Sequence, residues 1–305
     1  MTEHDNAYEG LVEAEDDARW AFGTSFDDPL AGVDTTLPEG VDGAALAAYS
    51  LMLGDDALVL SQRMAEWSTR APELEEEVAL ANIGLDLLGQ ARLLLARAAA
   101  ADPSVVPGLP EGSPVPDDDR LAFFRGPFEL RNVHLTEIEN GDFAVSIARL
   151  TIFAAWRLEL LEALCSSADP VLAAVAAKGV KEVRYHRDYA ARWLVTLARG
   201  TAESRRRMVA GLATVWPYTG ELGRVTAVER DLVGQGVAAD PAVAYDGART
   251  WLVEILAVAD LDVPPDRFAG TVGGRAGRDG VHTEKLGPLL DEMQSVARAH
   301  PMGRW

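Results

Sequence analysis

The sequence predicts an all-α protein, a bundle of long helices. Three observations predict it. Apolar residues recur every three or four positions through most of the chain after residue 43. Capping residues, prolines and glycines fall at the ends of those runs. No stretch alternates apolar and polar residues as a half-buried strand does.

With 305 residues, 48% of them hydrophobic, the chain is long enough for a sizeable core. The one cysteine, Cys165, excludes an internal disulfide framework and a zinc site of paired thiolates; it fits a reducing cytoplasm and is expected to serve packing. No basic leader with an apolar run follows the N-terminus, and charges interrupt the apolar stretches, so neither a membrane span nor a secretion signal is read. A net charge of −20 opposes binding to nucleic acid or to an anionic membrane.

Residues 1–41 form an acidic arm. Its first 40 residues hold eleven Asp or Glu against Arg19, and the arm reads as disordered and solvated. A short helix over Tyr8–Phe22, anchored by Leu11, Trp20 and Phe22, is the alternative, as a docking peptide. Residues 42–305 form the helical domain.

The first helix starts near Gly43, with Leu46, Tyr49, Leu53, Ala57, Leu60, Met64 and Trp67 on one face. A second is expected from Thr69 to about Ala100, with Pro72 in its first turn and Glu73, Glu75, Glu76 and Glu77 where the helix dipole favours negative charge. It carries two apolar stripes: Leu74, Val78, Ala81, Leu85 and Leu88, then Leu80, Ile83, Leu87, Ala91 and Leu94. The expectation is a central helix covered on most sides.

Five prolines between Asp102 and Asp119 make a long connection that suits a crossover, followed by a short helical segment at Leu121–Arg125. A third long helix starts near Asp142, Asp169-Pro170 opens a fourth that runs to Gly200, and Thr201 caps a fifth that Pro217 ends. Asp240-Pro241 opens a sixth; after a loop rich in Gly, Pro and charge at 260–281, Thr283 and Glu284 start the last. Four helices of about 25–30 residues, each roughly 40 Å long, match a ferritin-like bundle with additional C-terminal helices.

Such bundles hold di-iron sites with a Glu from each of two helices and Glu-x-x-His from each of two others. The residues three before the five histidines are Met1, Arg131, Val183, Asp279 and Ala297, so that signature is missing. Asp279 and His282 have the spacing but lie in a loop, where it does not define a shared face. Glu182 and His186, four apart on the fourth helix, either pair with each other and nearby charges or form a reduced metal site completed by Glu66, Glu137 or Glu139. Asn82, Asp86 and Gln90 line one narrow face of the second helix and read as a hydrogen-bonded seam. Phosphate-binding loops, nucleophile elbows and His-Glu-x-x-His are missing, and Arg205, Arg206 and Arg207 read as a solvated face.

Four blocks carry a family resemblance: Leu53–Trp67 (LGDDALVLSQRMAEW), Ala71–Arg92 (APELEEEVALANIGLDLLGQAR), Lys181–His186 (KEVRYH) and His282–Gln294 (HTEKLGPLLDEMQ). In order and length they resemble the C subunits of bacterial multicomponent phenylacetyl-CoA epoxidases. The resemblance implies a ferritin-like chain without catalytic or metal-binding residues of its own. It implies pairing with a catalytic A subunit that carries di-iron, a small B subunit, and a reductase with FAD and an iron-sulfur centre. It also implies substrate contacts, to phenylacetyl-CoA, at Glu75, Glu76, Glu77 and Val78. Three adjacent carboxylates repel the phosphates of coenzyme A, so such contacts would use the helix backbone, the apolar part of the ligand or a bridging cation. An acidic first turn also needs no ligand to explain it.

Overall fold

The computed structural model describes residue 30 and residues 32–303. The acidic stretch with the Tyr8–Phe22 segment lies outside the described residues. Among those described, the chain is all-helical, with one isolated bridge between Val272 and Arg275 in place of any strand.

Four long helices make the core: α1 (Gly43–Ala65), α2 (Leu74–Ala101), and, after two short helices α3 (Asp117–Phe123) and α4 (His134–Glu137), α5 (Phe143–Leu164) and α6 (Pro170–Arg199). α1 packs along α2 and α5 along α6, and α2 meets α6 across the two hairpins. The proline-rich crossover joins α2 to the α5–α6 pair, the connection a ferritin-like bundle requires. Around them lie α7 (Ala202–Val215), α8 (Ala227–Gly234), α9 (Pro241–Val258) and α10 (Leu286–Ala299). α7 and α9 cover the outer side of α5, α8 touches α1, and α10 lies on α3.

The helix starts follow from the caps. Asp142 accepts from the Val145 amide at 3.0 Å, Asp169 from Leu172 at 2.8 Å, Thr201 from Ser204 at 3.1 Å and Asp240 from Ala242 at 2.9 Å. α2 begins later than its sequence implies. Thr69 takes a left-handed φ of 62°, and Pro72 disfavours a helical Ala71, so the chain turns through residues 66–73 before the helix forms. α10 likewise starts at Leu286, after Thr283 has turned the chain by accepting from the Lys285 amide. α8 has a capping box, Thr226 with Glu229, that the periodicity of so short a segment did not expose. Cys165, expected inside, is exposed just past the end of α5.

Ahead of α1 the chain is tied down. Val33 and Val41 pack against the core, and buried Arg97 donates to the carbonyl of Thr35 at 2.6 Å. Arg97 also pairs with Asp169, so one cation fixes the incoming chain, α2 and the α6 cap.

α2 departs most from expectation. Leu80, Ile83, Leu87, Ala91 and Leu94 are buried, but the other stripe is not: Leu74 is 72% exposed, Val78 53%, Leu85 64% and Leu88 43%. α1 and α2 are both long and apolar enough to cross a bilayer by length and composition; 78% of the α1 window is buried inside the bundle, against 39% for α2. Among the described residues, no helix covers the outer stripe of α2.

Candidate functional site

The polar interior is held by arginines. Asp55 and Asp56, adjacent on α1, both point into protein and each takes a guanidinium: Arg125 pairs with Asp55, and Arg278 with Asp56 at 2.7 and 3.0 Å. Arg278 reaches in from the loop before α10, which passes so close to Asn132 that a side chain at Gly277 would overlap the Asn132 carbonyl. Unpaired, either carboxylate would be expensive at zero exposure. The double acid in LGDDALVL is therefore a structural clasp.

At mid-bundle, four helices contribute to one polar network. Arg157 of α5, fully buried, donates to the Leu53 carbonyl of α1 at 3.1 Å and to Gln90 Oε1 of α2 at 3.3 Å. Gln90 Nε2 donates to Glu182 of α6 at 3.0 Å, and His186 meets Asp86 at 2.9 Å. The seam is formed by Asp86 and Gln90, while Asn82 faces outward. Burial pushes the Arg157 guanidinium down to about 10, which still leaves it charged near neutrality. Burial raises the Glu182 carboxyl above its ordinary range, with the Gln90 bond opposing. A fixed cation and an amide thus lie at the centre of this network. Glu66 is engaged by Arg63 and Asn140, and Glu139 by Lys285, so neither joins Glu182 and His186.

Among the described residues, the arrangement suited to a metal ion lies elsewhere, at His134, Glu137 and His282. Glu137 is fully buried, with Oε1 at 3.4 Å from His282 Nδ1 and 3.8 Å from His134 Nε2. Sequence reasoning missed it because it asked for an acid before a histidine. His134-x-x-Glu137 is the reverse order, and the third residue comes from a distant loop. Asp279 is not part of it; its carboxylate accepts from the Ala276 amide and closes its own turn.

At the start of α2, Glu76 turns inward and accepts from Trp193 Nε1 at 2.7 Å and from Tyr189 Oη, whose hydroxyl is pushed well up by burial and this carboxylate. Glu75 and Val78 are exposed and Glu77 half-buried. Beside this start, a cleft of about 970 Å³ is lined by Arg63, Trp67, Arg70, Pro72, Asn140 and Phe143, among others.

The family model described as phenylacetic acid catabolic protein matches residues 33–305. The chain belongs to that family. Its ferritin-like helical order agrees with the membership, as do the quoted blocks. It is 42% identical over 263 residues, 85% of this chain and 99% of the relative, to the C subunit of the 1,2-phenylacetyl-CoA epoxidase of Escherichia coli (strain K12). The family match starts at residue 33, so most of the acidic arm lies outside the matched region.

Proposed function

We propose that this chain is the non-catalytic structural subunit of a bacterial phenylacetyl-CoA epoxidase in aerobic phenylacetate degradation, pairing with and stabilising a di-iron catalytic A subunit. The observation that carries the reading is the uncovered apolar stripe of α2, in a chain so similar to a protein named as one subunit of that enzyme. Four large apolar side chains on one helix face need a cover, and subunit interfaces supply one. A membrane is a poor cover, because Glu75, Glu77 and Asp86 flank the stripe and the chain carries −20 overall. Arg157 supports the non-catalytic part of the reading: a buried guanidinium at mid-bundle repels a pair of iron ions. A small B subunit and a reductase bearing FAD and an iron-sulfur centre complete the proposed cytoplasmic assembly.

The test is reconstitution from separately purified subunits, with iron measured on each. The reading requires no epoxidation by this chain alone, iron on the A subunit, and a stable pair that outlives the lone A subunit. Stoichiometric iron at mid-bundle of this chain, lost in His186→Ala, would refute it.

A second reading, compatible with the first, is that the chain helps hold the coenzyme A thioester near Glu75, Glu76, Glu77 and Val78. The cleft beside them supports it: Trp67 and Phe143 offer apolar surface for the thioester, and Arg70 offers one cation among the acids Glu66, Glu139, Asp142 and Glu292. Calorimetric titration of phenylacetyl-CoA into the chain checks it: binding weakened by Arg70→Glu supports the reading, and no heat at millimolar ligand contradicts it.

A further inference from the structure

We propose that His134 Nε2, the Glu137 carboxylate and His282 Nδ1 form a buried structural site for one divalent transition ion of the zinc class, stapling the loop before α10 to α4. The separations fit. Ligand atoms in a tetrahedral zinc site, each about 2.0–2.1 Å from the metal, stand about 3.3–3.4 Å apart. Glu137 Oε1 stands 3.4 Å from His282 Nδ1 and 3.8 Å from His134 Nε2, and one ligand atom from each residue lies within 4.8 Å of the others.

Two buried atoms point to an occupant independently of that spacing. Glu137 Oε2 and His282 Nδ1 have no hydrogen-bond partner, although the Glu137 side chain is fully buried and that of His282 is 4% exposed. Orphaned buried polar atoms are rare because each forfeits its hydration, and a cation held by Nδ1 and chelated by both oxygens of the Glu137 carboxylate satisfies both at once. A proton shared between His282 and Glu137 would serve Oε1 only and leave Oε2 orphaned.

The surroundings fix both imidazoles as a metal site needs. His282 Nε2 donates to the Leu130 carbonyl at 3.0 Å, which leaves the Nδ1 lone pair facing Glu137. His134 Nδ1 stands 3.3 Å from Glu221 Oε2, and Glu221 is itself held by the amides of His134 and Gly277, both at 2.8 Å. A carboxylate behind an imidazole is the usual support of a ligating histidine. Without the ion, His134 Nε2 donates to the Val281 carbonyl at 2.7 Å. Metal entry displaces the Nε2 proton, switches the neutral ring to the tautomer protonated on Nδ1 toward Glu221, and frees the Val281 oxygen as a fourth donor. Two imidazole nitrogens with oxygen donors suit zinc and its neighbours, and the burial marks a closed site without room for substrate.

The test uses the full chain, stripped with a chelator and titrated with Zn2+ and, as a visible probe, Co2+. One equivalent should bind with a rise in unfolding temperature, and X-ray absorption of the zinc-loaded protein should read two imidazoles. Glu137→Gln and His282→Ala should lose the tight equivalent, and His186→Ala should keep it. Failure of the wild type to retain zinc through dialysis overturns the proposal, as does retention unchanged in folded Glu137→Gln and His282→Ala. If those variants do not fold, the wild-type absorption spectrum decides: fewer than two imidazoles overturns it.

Discussion

At the residue scale, the polar interior was half legible. The four-residue spacing of Asp86 with Gln90, and of Glu182 with His186, put these groups on shared faces, and they meet across α2 and α6. Arg157 was not legible, because an arginine in a helix reads as surface unless the helix is apolar all round, as α5 is. Replacing it with methionine keeps the stem but orphans the Leu53 carbonyl and Gln90 Oε1. A loss of about 1–3 kcal/mol in urea unfolding is expected. Glu182 sets a pH dependence. Its folded carboxyl holds a proton above the ordinary 4.5, so the folded state binds more protons than the unfolded one through that window. Stability contributed by the neutral form is complete below 4.5 and falls as pH rises through the raised value. Glu182→Gln keeps an acceptor for Gln90 and removes this loss. The stability difference should therefore move in the variant's favour as pH rises from the ordinary carboxyl value of 4.5 through the raised one, and a constant difference would count against the assignment.

At the element scale, capping residues fixed the starts of α5, α6, α7 and α9, since Asp or Thr side chains there satisfy orphan amides whatever the tertiary context. The start of α2 was misplaced because backbone strain at Thr69 leaves no compositional trace. Two glycines separate propensity from packing. At Gly89 of α2 a Cβ would meet nothing within 4 Å, so Gly89→Ala should stabilise the isolated chain by about 0.5–1 kcal/mol. At Gly211 of α7 a Cβ would come within 2.9 Å of the Ala144 backbone on α5, which cannot swing aside. Overpacking of about 1–3 kcal/mol outweighs the same propensity gain there, and Gly211→Ala should lower the melting temperature. Opposite signs in thermal unfolding of the two variants are the expected outcome.

At the scale of the whole molecule, helix order and the crossover were readable because period and caps are local signals. The exposure of α2 was not, because two apolar stripes look alike in sequence whether a neighbouring helix or another chain covers the second. That stripe links the fold to the proposed function: Leu74, Val78, Leu85 and Leu88 remain after the chain has satisfied its own core. The measurement that tests this most directly is size-exclusion chromatography of Leu85→Glu/Leu88→Glu mixed with the A subunit. Both positions are exposed, so the lone variant should keep its fold and unfold within about 0.5 kcal/mol of the parent at each site, while the complex with the A subunit is lost. Undiminished co-elution of the folded double variant with the A subunit would contradict the account.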